Sequence, residues 1–281
     1  MFKMGHCFNF TKSNKRHPEL YSGCPLFKKI NILLLYFPSN STLAMMIIMK
    51  KYQHLFFDMD MTITPSRQPI LQEMYELLLS LPQDLVIVSG SELKQISFQT
   101  NNLPAYYLSA NGNHALDAKK QQLWINPALS NEQKQEIHLH IQKIISLLDH
   151  DLNEEWEPIS DRGAQITFSP LGKNAPIKLK NAYDPDHQKR LSWLSSVPFV
   201  SEELIVKIGG STSMDYLHKN GHKGANVKKL IEYLNWNKNE CVYFGDGLYH
   251  SGNDEAVIGI IDTVSVRDHQ DTYEKIKALS I

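Results

Sequence analysis

The chain has 281 residues, 42% of them hydrophobic and 21% charged, and its 29 Lys and Arg against 30 Asp and Glu leave a formal charge of -1. This balance excludes the basic surplus of a protein that wraps nucleic acid and the acidic surplus of a solvating tail, so any phosphate binding must come from local arrangement. The apolar content suffices for one large domain or two modest ones. Cys7, Cys24 and Cys241 have neither metal-ligand nor disulfide spacing, a usage that fits a reduced, cytoplasmic setting. Cys241 lies in an apolar run and reads as a small buried hydrophobe rather than a reactive thiol.

Residues 1–48 differ from the rest. Two apolar runs, Ile30 to Phe37 and Leu43 to Met49, flank a Pro38-Ser39-Asn40 break. Each is too short to span a bilayer, so no stable membrane insertion is expected, and the first begins too late for a secretory signal. A disordered extension, a membrane-surface anchor and residues upstream of the true start all fit. The last is preferred, because Met49 precedes Lys50-Lys51 and the first strand.

His54-Leu55-Phe56-Phe57 reads as a buried strand delivering Asp58 at its carboxyl end. Apolar residues at helical spacing follow over Ile70 to Leu81, then a strand at Leu85 to Val88 closed by Ser89-Gly90-Ser91. Leu93 to Gln99 reads as a helix, Tyr106 to Leu108 as a strand, and Asn111-Gly112-Asn113 as a turn. Alternating strands and helices, with strands apolar on both faces, imply a doubly wound parallel α/β sheet with ligands at the strands' carboxyl ends.

The middle changes character. Asn131 to Leu148 reads as a long amphipathic helix, Gln165 to Ser169 as a half-exposed strand, Asp186 to Trp193 as a helix and Leu204 to Ile208 as a strand. This is an α+β unit inserted into the parallel sheet, which resumes with a helix at Gly224 to Leu234 and a strand at Val242 to Phe244.

Asp58-Met59-Asp60-Met61-Thr62 places carboxylates at i and i+2 beyond a buried strand. Two such charges repel, so the pair needs a divalent cation or one raised pKa, and it suits a nucleophile with a general acid/base. Alone, the motif serves equally well as a loop with polar caps. Tyr243-Phe244-Gly245-Asp246 repeats the strand-to-acid pattern, and Asn253 and Asp254 add oxygen ligands. Between them Lys223 opens a helix, where a cation can pin the nucleophile and neutralise a transferring phosphate; its plainer role is a solvated helix-start lysine.

With these residues in order, the sequence resembles the haloacid dehalogenase superfamily, in the branch (subclass IIB) with an inserted α/β cap. Asp58 and Asp60 match its first motif, Ser89 or Ser91 its second, Lys223 its third, and Asp246, Asn253 and Asp254 its fourth. Within that branch it is similar to the eukaryotic-type phosphomannomutases from about Tyr52 onward. The matching stretches are Phe57 to Asp60, Thr62 to Ile70, Asp161 to Gly163, Ser169 to Gly172, Gly209 to Asp215, and Phe244 to Asp254, with Asn253 seven residues beyond Asp246.

The resemblance implies a core of residues 49–128 and 216–281 with a cap of residues 129–215. It implies that Asp58 takes the phosphoryl group and Asp60 shuttles the proton. Magnesium would sit on Asp58, the Asp60 carbonyl and Asp246, with Asn253 or Asp254 in support. Arg67, Arg162, Ser213 and Asp215 would contact substrate, with Lys173 as a second cap cation; Arg162 and Lys173 also fit ordinary surface charge. The implied reaction interconverts mannose 6-phosphate and mannose 1-phosphate, supplying GDP-mannose synthesis, with a hexose 1,6-bisphosphate as activator and a homodimer formed through the cap. The alternative is a phosphatase of a sugar phosphate; a signalling receiver fits less well, since receivers lack a cap. Met61 stands where the family has Gly, Ser89 where the mutases usually have Gly, and Lys173 where they have an arginine.

Overall fold

A computed structural model describes residues 52–280, so the expectations for residues 1–48 and for Met49 fall outside the described residues. Strand β1 (His54–Asp58) lies between β10 (Cys241–Gly245) and β2 (Asp84–Val88), all parallel. Its alternate side chains enter two different cores. Leu55 and Phe57 join Leu85, Ile87, Val242 and Phe244 on one face, and Phe56 joins Val86, Val88 and Tyr243 on the other. Period-2 geometry on a sheet covered on both sides requires this uninterrupted apolar run.

The first face is covered by α1 (Gln72–Leu79), α2 (Leu93–Gln99) and α7 (His269–Ser280), through Met74, Leu78, Ile96 and Ile276. The second is covered by α6 (Lys223–Tyr233), through Val227, Leu230 and Ile231. With β3 (Tyr106–Ser109) and β11 (Asp262–Ser265) the parallel order is β11-β10-β1-β2-β3. An antiparallel hairpin, β4 (His114–Leu116) and β5 (Gln122–Ile125), extends the β3 edge, so the sheet is mixed there rather than wholly parallel.

The chain leaves this sheet through α3 (Asn131–Ile145), whose start is fixed by a reciprocal capping box between Ser130 and Gln133. A second, antiparallel sheet follows: β6 (Ile159–Asp161), β7 (Gln165–Phe168), β8 (Leu204–Gly209) and β9 (Ser213–His218), in the order β6-β7-β9-β8. Ile137, Ile141 and Ile144 of α3 pack on Ile166, Phe168, Met214 and Tyr216 of this sheet. Helices α4 (Ile177–Tyr183) and α5 (Gln188–Ser196) lie between β7 and β8 in sequence. The expected half-exposed strand at Gln165 is fully buried instead: Gln165 is 0% and Thr167 5% exposed, because their polar face meets Asn111 and Asp215 rather than water. Among the described residues no helix is long and apolar enough to cross a membrane.

Candidate active site

Order along the first sheet reverses at β1: β2 and β3 extend to one side, β10 and β11 to the other. A crevice opens beyond the carboxyl ends of strands at such a switch point. Phe57 is paired with Phe244, their rings stacked 5.1 Å apart, so the acids that follow emerge side by side. Carboxylate oxygens of Asp58, Asp246 and Asp254 lie within 4.8 Å of one another, although Asp58 is far from the other two in sequence.

Lys223, the first residue of α6, occupies the centre of this cluster. Its Nζ donates to Asp58 Oδ1 at 2.5 Å and to Asp254 Oδ1 at 2.7 Å, with both ion pairs almost wholly buried. Burial opposes the ammonium charge, but Asp254 and Asp58 outweigh it and hold the lysine above its ordinary pKa. Burial pushes the Asp58 carboxyl up, with Lys223 opposing and Asp254 and Asp246 adding to the rise. Asp246 is pushed up to about 6, first by burial and then by Asp254.

Asp254 is the most heavily engaged of the three acids. Its Oδ1 also accepts from the Tyr243 hydroxyl at 2.7 Å, and its Oδ2 from the Gly247 N–H at 3.2 Å. It therefore acts chiefly as an anchor for Lys223. Asp246 accepts from the Thr62 hydroxyl at 3.2 Å and faces the cavity with Asp58 and Asn253. A crowded set of hard oxygen donors, with more negative than positive charge, fits a small divalent cation such as Mg²⁺. Asp58 and Asp246 would hold it, with Asn253 at the rim.

Asp60 is oriented by its own loop. Its Oδ1 accepts from the Arg67 N–H at 2.6 Å and from Gln99 Nε2 at 2.9 Å. Gln99 is fully buried and also donates to Thr64, so α2 fixes the Asp60 rotamer; sequence reading had given Gln99 no role. Met61 takes φ of +63°, a conformation that glycine adopts freely and that explains a Gly at this place in the resembling family. Its side chain lines the cavity mouth rather than entering the core. Ser89 and Ser91 end β2 at the same cavity, and Ser89 Oγ accepts from the Ser91 N–H at 3.1 Å.

The cavity, of about 390 Å³, is closed from the other side by the second sheet. Ser213 and Asp215 reach it from β9. Asp215 accepts from the Thr167 hydroxyl at 2.8 Å and from Asn111 Nδ2 at 3.3 Å. Arg162 crosses to the first sheet's loop, where Nη1 donates to the Gly90 carbonyl; its buried Nε has no hydrogen-bond partner among the described residues. Arg67, from the loop after Asp60, also lines the cavity. Lys173 is not among the lining residues. Its Nζ is paired with Glu157, so the structure does not bring it to this cavity.

Lys180 of α4 lines the cavity as a further cation beside Arg67 and Arg162. It is 7% exposed, has no carboxylate partner among the described residues, and donates to the Lys173 carbonyl at 3.2 Å. Burial brings its ammonium down to about 8; Arg67 and Arg162 add to the fall and Asp60 opposes it. No motif marks this residue, and a lysine on a short helix reads as a solvated one.

Comparison with known proteins finds the following likenesses. Residues 165–256 match a family described as haloacid dehalogenase-like hydrolase. The chain is 28% identical to a phosphomannomutase of Triticum aestivum over 79% of this chain and 93% of that one. It is 26% identical to a phosphomannomutase of Saccharomyces cerevisiae over 80% and 93%. The chain is similar to haloacid dehalogenase-like proteins. Solved structures agree on the fold: a haloacid dehalogenase-like hydrolase from Bacteroides thetaiotaomicron superposes with TM-score 0.55 at 16% identity, covering 81% of this chain and 99% of that one. An IMP-nucleotidase from Plasmodium falciparum superposes with TM-score 0.60 at 15% identity, covering 85% and 71%. The Asp58, Lys223 and Asp246 constellation stands at the carboxyl edge of the mixed α/β sheet.

Proposed function

We propose that the chain is a magnesium-dependent phosphohexose mutase that interconverts mannose 6-phosphate and mannose 1-phosphate through an aspartyl-phosphate on Asp58, with residues 129–215 serving as the cap. The observation that carries this reading is that Asp58, Lys223 and Asp246 share one cavity with Arg67, Arg162 and Lys180. A substrate that must be held at both ends, with the non-reacting phosphate gripped while the other transfers, needs cations away from the nucleophile. Likeness to phosphomannomutases over most of both chains points the same way.

An Asp58 oxygen bonds to phosphorus as the bond from phosphorus to the sugar oxygen breaks, and Asp60 delivers the proton that the departing oxygen takes up. In the return step a sugar hydroxyl gives its proton to Asp60 and attacks the aspartyl-phosphate. Lys223 holds Asp58 in place and offsets negative charge on the transferring group. Asp58 and Asp246 would hold Mg²⁺, which would supply further neutralisation of that charge.

A coupled assay with mannose 1-phosphate and a catalytic amount of a hexose 1,6-bisphosphate tests the reading. Isomerised product is expected. Steady release of inorganic phosphate in its place makes the protein a sugar-phosphate phosphatase and rejects the mutase.

A further inference from the structure

The cavity wall contains a device that the chemistry above does not use. Arg190, on α5, is 0% exposed and does not line the cavity. Its Nε donates to Asp184 Oδ2 at 2.6 Å. Nη1 donates to the carbonyls of Gly209, Gly210 and Ser213 at 2.8, 3.1 and 3.0 Å, and Nη2 to that of Ser211 at 3.0 Å. Asp184 in turn accepts from the N–H groups of Lys189 and Arg190 and so fixes the start of α5. One guanidinium, whose planar fork suits several acceptors at once, gathers four carbonyls of the turn between β8 and β9.

The consequence follows from peptide geometry. In a trans peptide the carbonyl of one residue and the N–H of the next point in opposite directions. Clamping the carbonyls of Gly209, Gly210 and Ser211 on Arg190 therefore turns the N–H groups of Gly210, Ser211 and Thr212 away from it. All three residues line the cavity, and none of these N–H groups has an acceptor within the described residues. Gly210 takes φ of +41°, the left-handed kink that lets successive amides converge. Successive N–H groups in such a turn form a concavity for an anion.

We propose that Arg190 is a positioning residue that shapes the Gly209–Ser213 turn into an amide cradle for an anionic oxygen on the substrate end remote from Asp58. The proposal rests on the reading of the cavity as a sugar-phosphate site. It adds uncharged backbone donors to Arg67, Arg162 and Lys180, and it explains why a guanidinium is buried in the cap without touching the cavity.

The test uses the full chain. Amide hydrogen exchange of wild type is followed over residues 209–213 with and without a hexose 1,6-bisphosphate, and Arg190→Lys is assayed with mannose 1-phosphate. Exchange there should slow on adding the bisphosphate, and in Arg190→Lys KM should rise roughly tenfold while kcat changes far less, since uniform binding is lost and the Asp58 chemistry is kept. A merely structural arginine would lower the melting temperature and leave KM of the folded fraction unchanged, which overturns the proposal. So does unchanged exchange in a wild type that turns over sugar phosphates, a result independent of whether the variant folds. Failure of wild type on every sugar phosphate rejects the functional reading itself, and is distinct from both.

Discussion

At the cavity floor three carboxylates share one ammonium, and burial makes that excess of negative charge unfavourable. A carboxyl whose folded pKa lies above its unfolded value destabilises the fold as pH rises from the unfolded pKa toward the folded one. Asp58 is such a group. Asp58→Asn in metal-free buffer at neutral pH is therefore expected to melt no lower than wild type, while phosphoryl transfer falls more than about a thousandfold. A variant that keeps full activity removes Asp58 as the nucleophile. Mg²⁺ should raise the melting temperature of wild type by binding the folded state and should fail to do so in Asp246→Asn. Lys180 gives the pH-dependent counterpart. Its ammonium, at about 8 and surrounded by Arg67, Asp60 and Arg162, is charged below that value and neutral above it. For an anionic substrate kcat/KM should fall roughly tenfold between about pH 7 and about pH 9, and Lys180→Gln should flatten that limb. An unchanged alkaline limb in the variant assigns the titration to another group.

The elements that carry the site depend on close backbone approaches as much as on side chains. Gly224, beside Lys223 in the first turn of α6, is the tightest: a Cβ there would sit 1.8 Å from the Ala256 carbonyl oxygen. Gly224→Ala must push α6 away from the segment after Asp254, moving Lys223 from its two acids. A stability loss of about 1–3 kcal/mol is expected from such overpacking, with a drop in kcat; urea unfolding and steady-state assays read both, and a neutral Ala would show that α6 has slack. These same elements were the legible part of the sequence. β1, β2, β3 and β10 are continuous apolar runs ending at polar residues, and each appears within a residue or so of its expected place. α3 is announced by its Ser130–Gln133 box, though it ends at Ile145 rather than Leu148. The short β4, β5 and β6 carry too few residues for a periodic signal. Lys180, Gln99 and Arg190 were illegible for a related reason: their roles come from contacts between segments distant in sequence, which no local spacing encodes.

At the scale of the molecule, the cavity exists because the two sheets meet over it, and several contacts join them there. Asn111 bonds to Gln165 and Asp215, Arg162 to Gly90, and the ring of His187 stacks on Tyr249 at 6.1 Å with planes 29° apart. The Asn111 contacts are buried and the Arg162 contact is half-buried, whereas Tyr249 is 50% exposed and stands at the mouth. A mutase must keep water from the aspartyl-phosphate for as long as the sugar takes to turn, whereas a phosphatase admits it. If the His187–Tyr249 pair closes the mouth, removing one ring leaves Asp58, Asp60 and Lys223 untouched and lets solvent reach them. Tyr249→Ala should then raise the ratio of inorganic phosphate released to sugar phosphate isomerised, with little change in the rate at which Asp58 is first phosphorylated. Measuring both products from one reaction separates this from a general loss of activity, which would lower them in parallel. A constant ratio would mean that water is excluded deeper in the cavity, by the Arg162 and Asn111 contacts, and the double change of Tyr249 and Asn111 would then be the one to raise it.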